Sequence, residues 1–248
     1  MLPAAGIFIL DGLILPLTFY LILRKSRYMK NIPFSTYLRL YIIGVVIFPI
    51  LLPRKHLEYW LTTQSPSFLF VLLVVQMVNN IFEESGKAIT LYAGAGKKGI
   101  STYSAALLLG LFSGMSYGIG EAFTLSVIGM KPVLNKVFGI NLTLLFITWG
   151  WVLERFYSIL IHTVMGGLVG VSLYFFKKSG YLKAFLLFVT ALLYHEFVDG
   201  LIIYANFHQT SRFSSFVMNH MYDAILPILV LLGTAGILIL FRKKEVRL

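Results

Sequence analysis

Apolar runs long enough to cross a bilayer recur along this chain of 248 residues, and nothing else in it narrows the possible folds so far. A helix rises about 1.5 Å per residue, so roughly 20 consecutive apolar residues span a hydrocarbon core of about 30 Å. Hydropathy predicts spans near residues 4–23, 36–52, 66–92, 101–128, 154–176, 182–206 and 216–241. Within lipid every backbone N–H and C=O must be bonded internally, so each span is read as α-helix. The expected fold is all-α, a polytopic integral membrane helical bundle of about seven transmembrane helices. It forms a single transmembrane domain over residues 1–248, with no repeat or linker, and its motif-bearing core runs from about 66 to 206. The apolar stretch from Phe138 to Trp151 is too short to span and is read as an interfacial or re-entrant piece.

Composition agrees with that class. Hydrophobic residues make up 58% and charged residues 12%, about half the charged share of a soluble domain. The formal charge of +11 does not imply nucleic acid, because the basic residues form short clusters between apolar runs rather than one stripe. They read as topology signals. With the N-terminus outside, the inner side holds fourteen, within Arg24 to Lys30, at Arg39, Lys97 and Lys98, within Lys177 to Lys183, and within Arg242 to Arg247. The outer side holds six, Arg54, Lys55, Lys131, Lys136, Arg155 and Arg212, while Lys87 falls inside a span. That asymmetry predicts a cytoplasmic C-terminus, in the plasma membrane if the source is a prokaryote. The first apolar run starts at Leu2 without a basic leader or a small-residue cleavage site, and is expected to be a retained helix. With no cysteine, disulfides, thiolate metal sites and cysteine nucleophiles are excluded.

The chemistry is expected from ionisable residues inside the spans, each costing roughly 2.5 to 3.5 kcal/mol at mid-bilayer on insertion scales unless it has a partner, a wet cavity or a function. The third span reads Asn79-Asn80-Ile81-Phe82-Glu83-Glu84-Ser85-Gly86-Lys87. Glu83 and Lys87 are i and i+4, so a pair between them is expected, with Glu84 turned about 100° away toward another neighbour. The fourth span carries Glu121 beside Gly118 and Gly120, and its partner must come from another helix. Glycines 110, 114 and 118, and 166 and 170, repeat at four-residue spacing and are read as helix packing. Glu154-Arg155 is read as an interfacial pair, and His162 follows within the fifth span. The sixth span holds Tyr194-His195-Glu196-Phe197-Val198-Asp199-Gly200. There His195 and Asp199 share a face, so Asp199 can fix the imidazole tautomer, while Glu196 points elsewhere. His195-Glu196 begins like the zinc-protease helix, but Asp199 stands where a second histidine should. A His/Asp/His zinc set is the less favoured alternative, and neither metal nor cofactor is expected. Asp11, Asn219, His220 and Asp223 are read as structural.

The ordered set, Glu-Glu-x-x-Lys, a glycine-rich helix with a glutamate, a histidine followed by small residues, then His-x-x-x-Asp, resembles the glutamic-type intramembrane proteases related to PrsW and YhfC. More distantly it is similar to the CAAX prenyl endopeptidases and the bacterial CPBP proteins. The resemblance runs from about Asn79 to Gly200, and Leu153-Glu154-Arg155-Phe156 through His162 looks most like the YhfC branch. It implies that Glu83 activates water with Glu84 in support, and that His162, His195 and Asp199 position the water and hold the oxyanion. Lys87, Glu121, Glu196 and Asn80 are the supporting residues. Two departures are Asp199, where the CAAX relatives have asparagine, and Lys87, where they place an arginine one residue later. The implied substrate is a membrane protein or lipidated peptide within the bilayer. The rival reading is a proton- or cation-coupled transporter, and a third is a non-catalytic membrane binding protein.

Overall fold

The computed structural model describes residues 6–30, 32–127 and 149–245, and among these it holds helices and their connections but no strand. Seven helical spans are long and apolar enough to cross a membrane: α1 (Ile7–Lys25), α2 (Phe34–Gln64), α3 (Phe68–Gly96), α4 (Tyr103–Ser126), α5 (Trp149–Lys177), α6 (Tyr181–Phe207) and α7 (Arg212–Arg242). The protein is an all-α polytopic membrane bundle, as the hydropathy leads one to expect. Leucine, isoleucine and phenylalanine side chains stand exposed along the outer faces, among them Leu13, Ile22, Leu182, Phe185, Leu231 and Leu232. Such a surface would aggregate in water, but it matches lipid tails as solvent.

Two boundaries depart from the sequence reading. α5 begins at Trp149, so the end of the supposed re-entrant piece, Trp149 to Trp151, is its first turn; the rest of that piece lies outside the described residues. α2 runs well past residue 52 because the chain turns at Leu51–Pro53 and resumes as helix over Arg54–Gln64. Pro49 and Pro53 lack the N–H groups that would carry the first half onward, so the axis breaks there. The second half reads RKHLEYWLTTQ, too polar for a hydropathy window to include, yet its Arg54 and Glu58 are buried against α3.

The centre of the bundle is the α4–α5 pair, which buries most of its length while the other spans wrap around it. Glycine makes this possible. A Cβ on Gly114 would lie 2.1 Å from the His162 carbonyl oxygen, and one on Gly110 would lie 2.4 Å from that of Gly166. One on Gly170 would meet the Ala106 carbonyl at 2.2 Å. The two backbones therefore touch along a stripe of small residues, the packing their four-residue spacing predicts. α4 and α5 in turn fix Glu121 and His162 beside each other. Three turns of π-helix, Ile7–Ile14, Val71–Gln76 and Met221–Ile225, lie within α1, α3 and α7. The π register shifts the following side chains around the helix, and the second such turn ends at Gln76, a buried residue facing α6.

Candidate active site

Glu83 lies halfway along α3, buried, with its two carboxylate oxygens in different surroundings. Oε1 accepts from Arg54 Nη2 at 2.6 Å and from Asn79 Nδ2 at 3.1 Å. Arg54 also donates from Nε to Asn79 Oδ1 at 2.9 Å and lies 3.6 Å from Glu58 Oε1. Lys55 adds bonds to Glu58 Oε2 at 2.7 Å and to Asn79 Oδ1 at 3.1 Å. Oε2 faces the two histidines instead, 3.7 Å from His195 Nε2 and 4.0 Å from His162 Nε2. These separations are too long for direct hydrogen bonds and leave room for a bridging water.

The expected Glu83–Lys87 pair is not the one that forms. Lys87 is fully buried, not solvated at a helix end, and its ammonium pairs with Glu84. Three residues of spacing sets the two on one face as well as four does, and Arg54 has already neutralised Glu83. Lys87 Nζ also lies 3.4 Å from Met165 Sδ, its backbone carbonyl accepts from Ser113 Oγ at 2.8 Å, and its ammonium stands 5.5 Å from the Tyr117 ring centroid.

Glu84 reaches the site through His195, whose Nδ1 lies 2.8 Å from Glu84 Oε1. Ion-paired to Lys87, Glu84 can only accept, so Nδ1 carries the proton and Nε2 is left facing Glu83. The tautomer is thus fixed by Glu84, not by Asp199 as its spacing suggested. Asp199 Oδ2 does lie 3.4 Å from His195 Nε2, and it accepts from Gln76 Nε2 at 2.5 Å. Gln76 donates to Asn80 Oδ1 at 3.0 Å too, and Asn80 donates to Glu196 Oε2 at 2.9 Å. Glu196 and Asn80 therefore brace α3 against α6 behind the site.

On the opposite wall Glu121 finds the interhelical partners it requires. Its Oε1 accepts from Arg155 Nη1 at 2.7 Å, and its Oε2 lies 2.7 Å from His162 Nε2. Arg155 pairs with Glu154 as well, so this dipeptide is a bridge into the site rather than an interfacial pair. Paired with Arg155, Glu121 accepts, which makes His162 Nε2 a donor to it. The two histidine rings meet edge to face, with centroids 5.3 Å apart. Asp11 is buried on α1, remote from this cluster in sequence, with neither carboxylate oxygen hydrogen-bonded, and His220 and Asp223 lie 3.5 Å apart on the exposed side of α7.

Glu83, Glu121, His162, His195 and Asp199 all line a cavity of about 520 Å³ between α2, α3, α4, α5, α6 and α7. Glu84, Lys87, Asn80 and Glu196 do not reach it. Of the sequence-predicted residues the structure thus gathers five at the cavity wall and four behind it. Arg54, Lys55, Asn79, Gln76 and Arg155 also belong to the network, and only Glu154-Arg155 carried any signal of this, by following an acid with a base just before His162.

The metal question changes with this geometry. Ligand-capable atoms of Glu83, His162 and His195 lie within 4.8 Å of one another, so the metal-competent triad is Glu/His/His rather than His/Asp/His. Of the three, only His162 Nε2 is already engaged, by Glu121; Glu83 Oε2 and His195 Nε2 are open, with Arg54 on the other oxygen of Glu83. A metal held by all three would need His162 Nε2 released from Glu121, whereas a water fits the two open atoms as they stand. Compared with known proteins, the chain matches no family model, no curated protein and no solved structure.

Proposed function

We propose that this protein is an intramembrane endopeptidase that hydrolyses a peptide bond of a membrane-embedded or lipidated substrate with water activated by Glu83. The observation that carries the reading is the free Oε2 of a buried glutamate facing two histidine Nε2 atoms, at 3.7 and 4.0 Å, on the wall of a large and mostly apolar cavity. The likeness of the ordered motifs to the PrsW and YhfC proteases supports it independently.

In this mechanism a water bridges Glu83 Oε2 and His195 Nε2. Glu83 takes its proton as the hydroxide adds to the scissile carbonyl carbon, giving a tetrahedral oxyanion. Arg54 and Asn79 hold Oε1, so only Oε2 is available to the water. His195, held by Glu84 at Nδ1, accepts the water's second proton at Nε2 and so positions it, while His162, held by Glu121, closes the other side of the water site. Collapse of the intermediate breaks the C–N bond, and Glu83 passes its proton to the leaving amine. The products are a carboxylate and an amine, with no covalent enzyme intermediate. Asp199 serves as the acceptor that fixes Gln76, not as an oxyanion donor. The expected setting is a plasma membrane.

The test is cleavage of single-span and lipidated peptides by the reconstituted protein, comparing wild type, Glu83→Gln, His195→Ala and chelator-treated samples. Cleavage lost in both variants by a factor of 100 or more, on the order expected for removing a general base, and retained with chelator is the expected result. Normal cleavage by folded Glu83→Gln would sink the assignment. Loss with chelator would transfer the chemistry to a metal at the Glu83, His162 and His195 triad. A second reading, proton-coupled transport, draws on the run of buried acids and histidines from Glu58 to Asp199, and ion flux in proteoliposomes would favour it.

A further inference from the structure

We infer that the site is filled from the membrane face opposite the basic clusters, the outer face, so that the bond it cuts, near mid-bilayer, is reached from outside. The inference rests on the protease reading for its chemistry but on helix direction and charge for its geometry. α3 and α5 run toward the clusters at Lys97-Lys98 and Lys177-Lys178, and α6 runs away from Lys183. Glu83, His162 and His195 lie near the midpoints of these three helices. From there, among the described residues, the cavity extends one way only. Its remaining wall includes Leu125, Trp151, Glu154, Asn206 and Met218, all within a few turns of the ends remote from those clusters.

Toward the basic end the space is filled. The Lys87–Glu84 pair and Met165 form the floor, and below it the α4 and α5 backbones touch at Gly110, Gly114, Gly166 and Gly170. A substrate therefore reaches the histidines from the far face or from the lipid beside it.

The same structure sharpens the assignment of that face. Of the six cations on the outer side, Arg54, Lys55 and Arg155 are bound by Glu83, Glu58, Glu121 and Glu154, so they are site residues rather than loop charges. Only Lys131, Lys136 and Arg212 remain to set against the fourteen at the other face. The positive-inside rule counts loop charges, and this bias places the closed end in the cytoplasm. Every acidic residue except Glu245 lies within a span, so nothing acidic in the inner loops offsets the bias.

The absence of cysteine makes the test direct. Single-cysteine variants of the full chain would be made at Gln209, exposed in the turn after α6, at Asn206 on the cavity wall, and at Lys178, exposed at the other end. Intact cells would be treated with a membrane-impermeant maleimide, and again after permeabilisation. The expected result is labelling of Gln209→Cys and Asn206→Cys in intact cells, with Lys178→Cys protected until the membrane is opened. Labelling of Lys178→Cys from outside, alone or together with Gln209→Cys, overturns the inference. So does an Asn206→Cys that stays unlabelled while Gln209→Cys reacts, because the cavity would then not open to that face. None of these readouts requires cleavage, so a failed protease assay and a failed orientation are separate results.

Discussion

Lys87 is the least expected residue of the site, a fully buried ammonium in the middle of a membrane protein. Its pairing with Glu84 makes Glu84 a fixed acceptor, and Glu84 in turn orients His195. Removing one member of a buried pair leaves the other uncompensated, which typically costs roughly 3–5 kcal/mol, more than the pair itself contributes. Lys87→Met keeps the length of the side chain and loses the charge. It is expected to lower thermal stability in detergent by that order, and adding Glu84→Gln to it should restore part of the loss. If the double variant is no better than the single, Glu84 is stabilised by something other than Lys87. Tyr117 offers the opposite prediction. Its ring packs against Phe48, His162 and the Lys87 ammonium, but its buried hydroxyl has no hydrogen-bond partner among the described residues. Tyr117→Phe keeps the ring and discards an unpaired polar group, so stability should rise or change by less than about 0.5 kcal/mol. A loss of about 2 kcal/mol in the same unfolding experiment would show that the hydroxyl is bonded after all.

At the scale of helices, α4 and α5 are joined by backbone contact, and the carbonyl that Gly114 touches belongs to His162 itself. A side chain at 114 must push α5 away, and with it His162. Gly114→Val is therefore expected to destabilise the bundle by about 2 kcal/mol or more and to abolish cleavage with Glu83 intact. Gly96 takes φ 66° and ψ 178°, a region essentially reserved for glycine, with open space around it, so there only backbone strain of about 1–3 kcal/mol is expected on substitution by alanine. Unchanged stability of Gly114→Val would mean that the helices can separate without cost. The glycine stripe was legible in the sequence because its period is local to one helix. The spans were legible too, since hydropathy sums over neighbours. Arg54 was not. Hydropathy ended the second span before it, whereas the chain turns at Leu51–Pro53 and brings Arg54 back into the protein against Asn79 and Glu83. Partner choice between helices depends on how they meet, which spacing along one helix does not encode. That is also why Glu83 was matched with Lys87 and His195 with Asp199, each inside its own helix, when the stronger partners come from α2 and α3.

For the molecule as a whole, the property that bears most on the rival reading is that, among the described residues, its cavity is closed at one end. A proton or cation carrier needs access to its binding groups from both faces, in turn or together. Here Lys87, Glu84 and Met165 fill the space beneath the histidines, and α4 and α5 touch directly at their glycines beside that floor. A hydrolase needs only one opening, through which substrate arrives and products leave. Proteoliposomes under an imposed pH gradient should therefore dissipate it no faster with wild type than without protein, and sodium or potassium gradients should not change that. Gly114→Val, which forces the central pair apart, is the informative companion, because a leak in that variant alone would show that the α4–α5 contact is the seal. Flux in the wild type that is lost with Glu83→Gln would show instead that the buried acids carry protons across the membrane, and the site would then belong to a transporter.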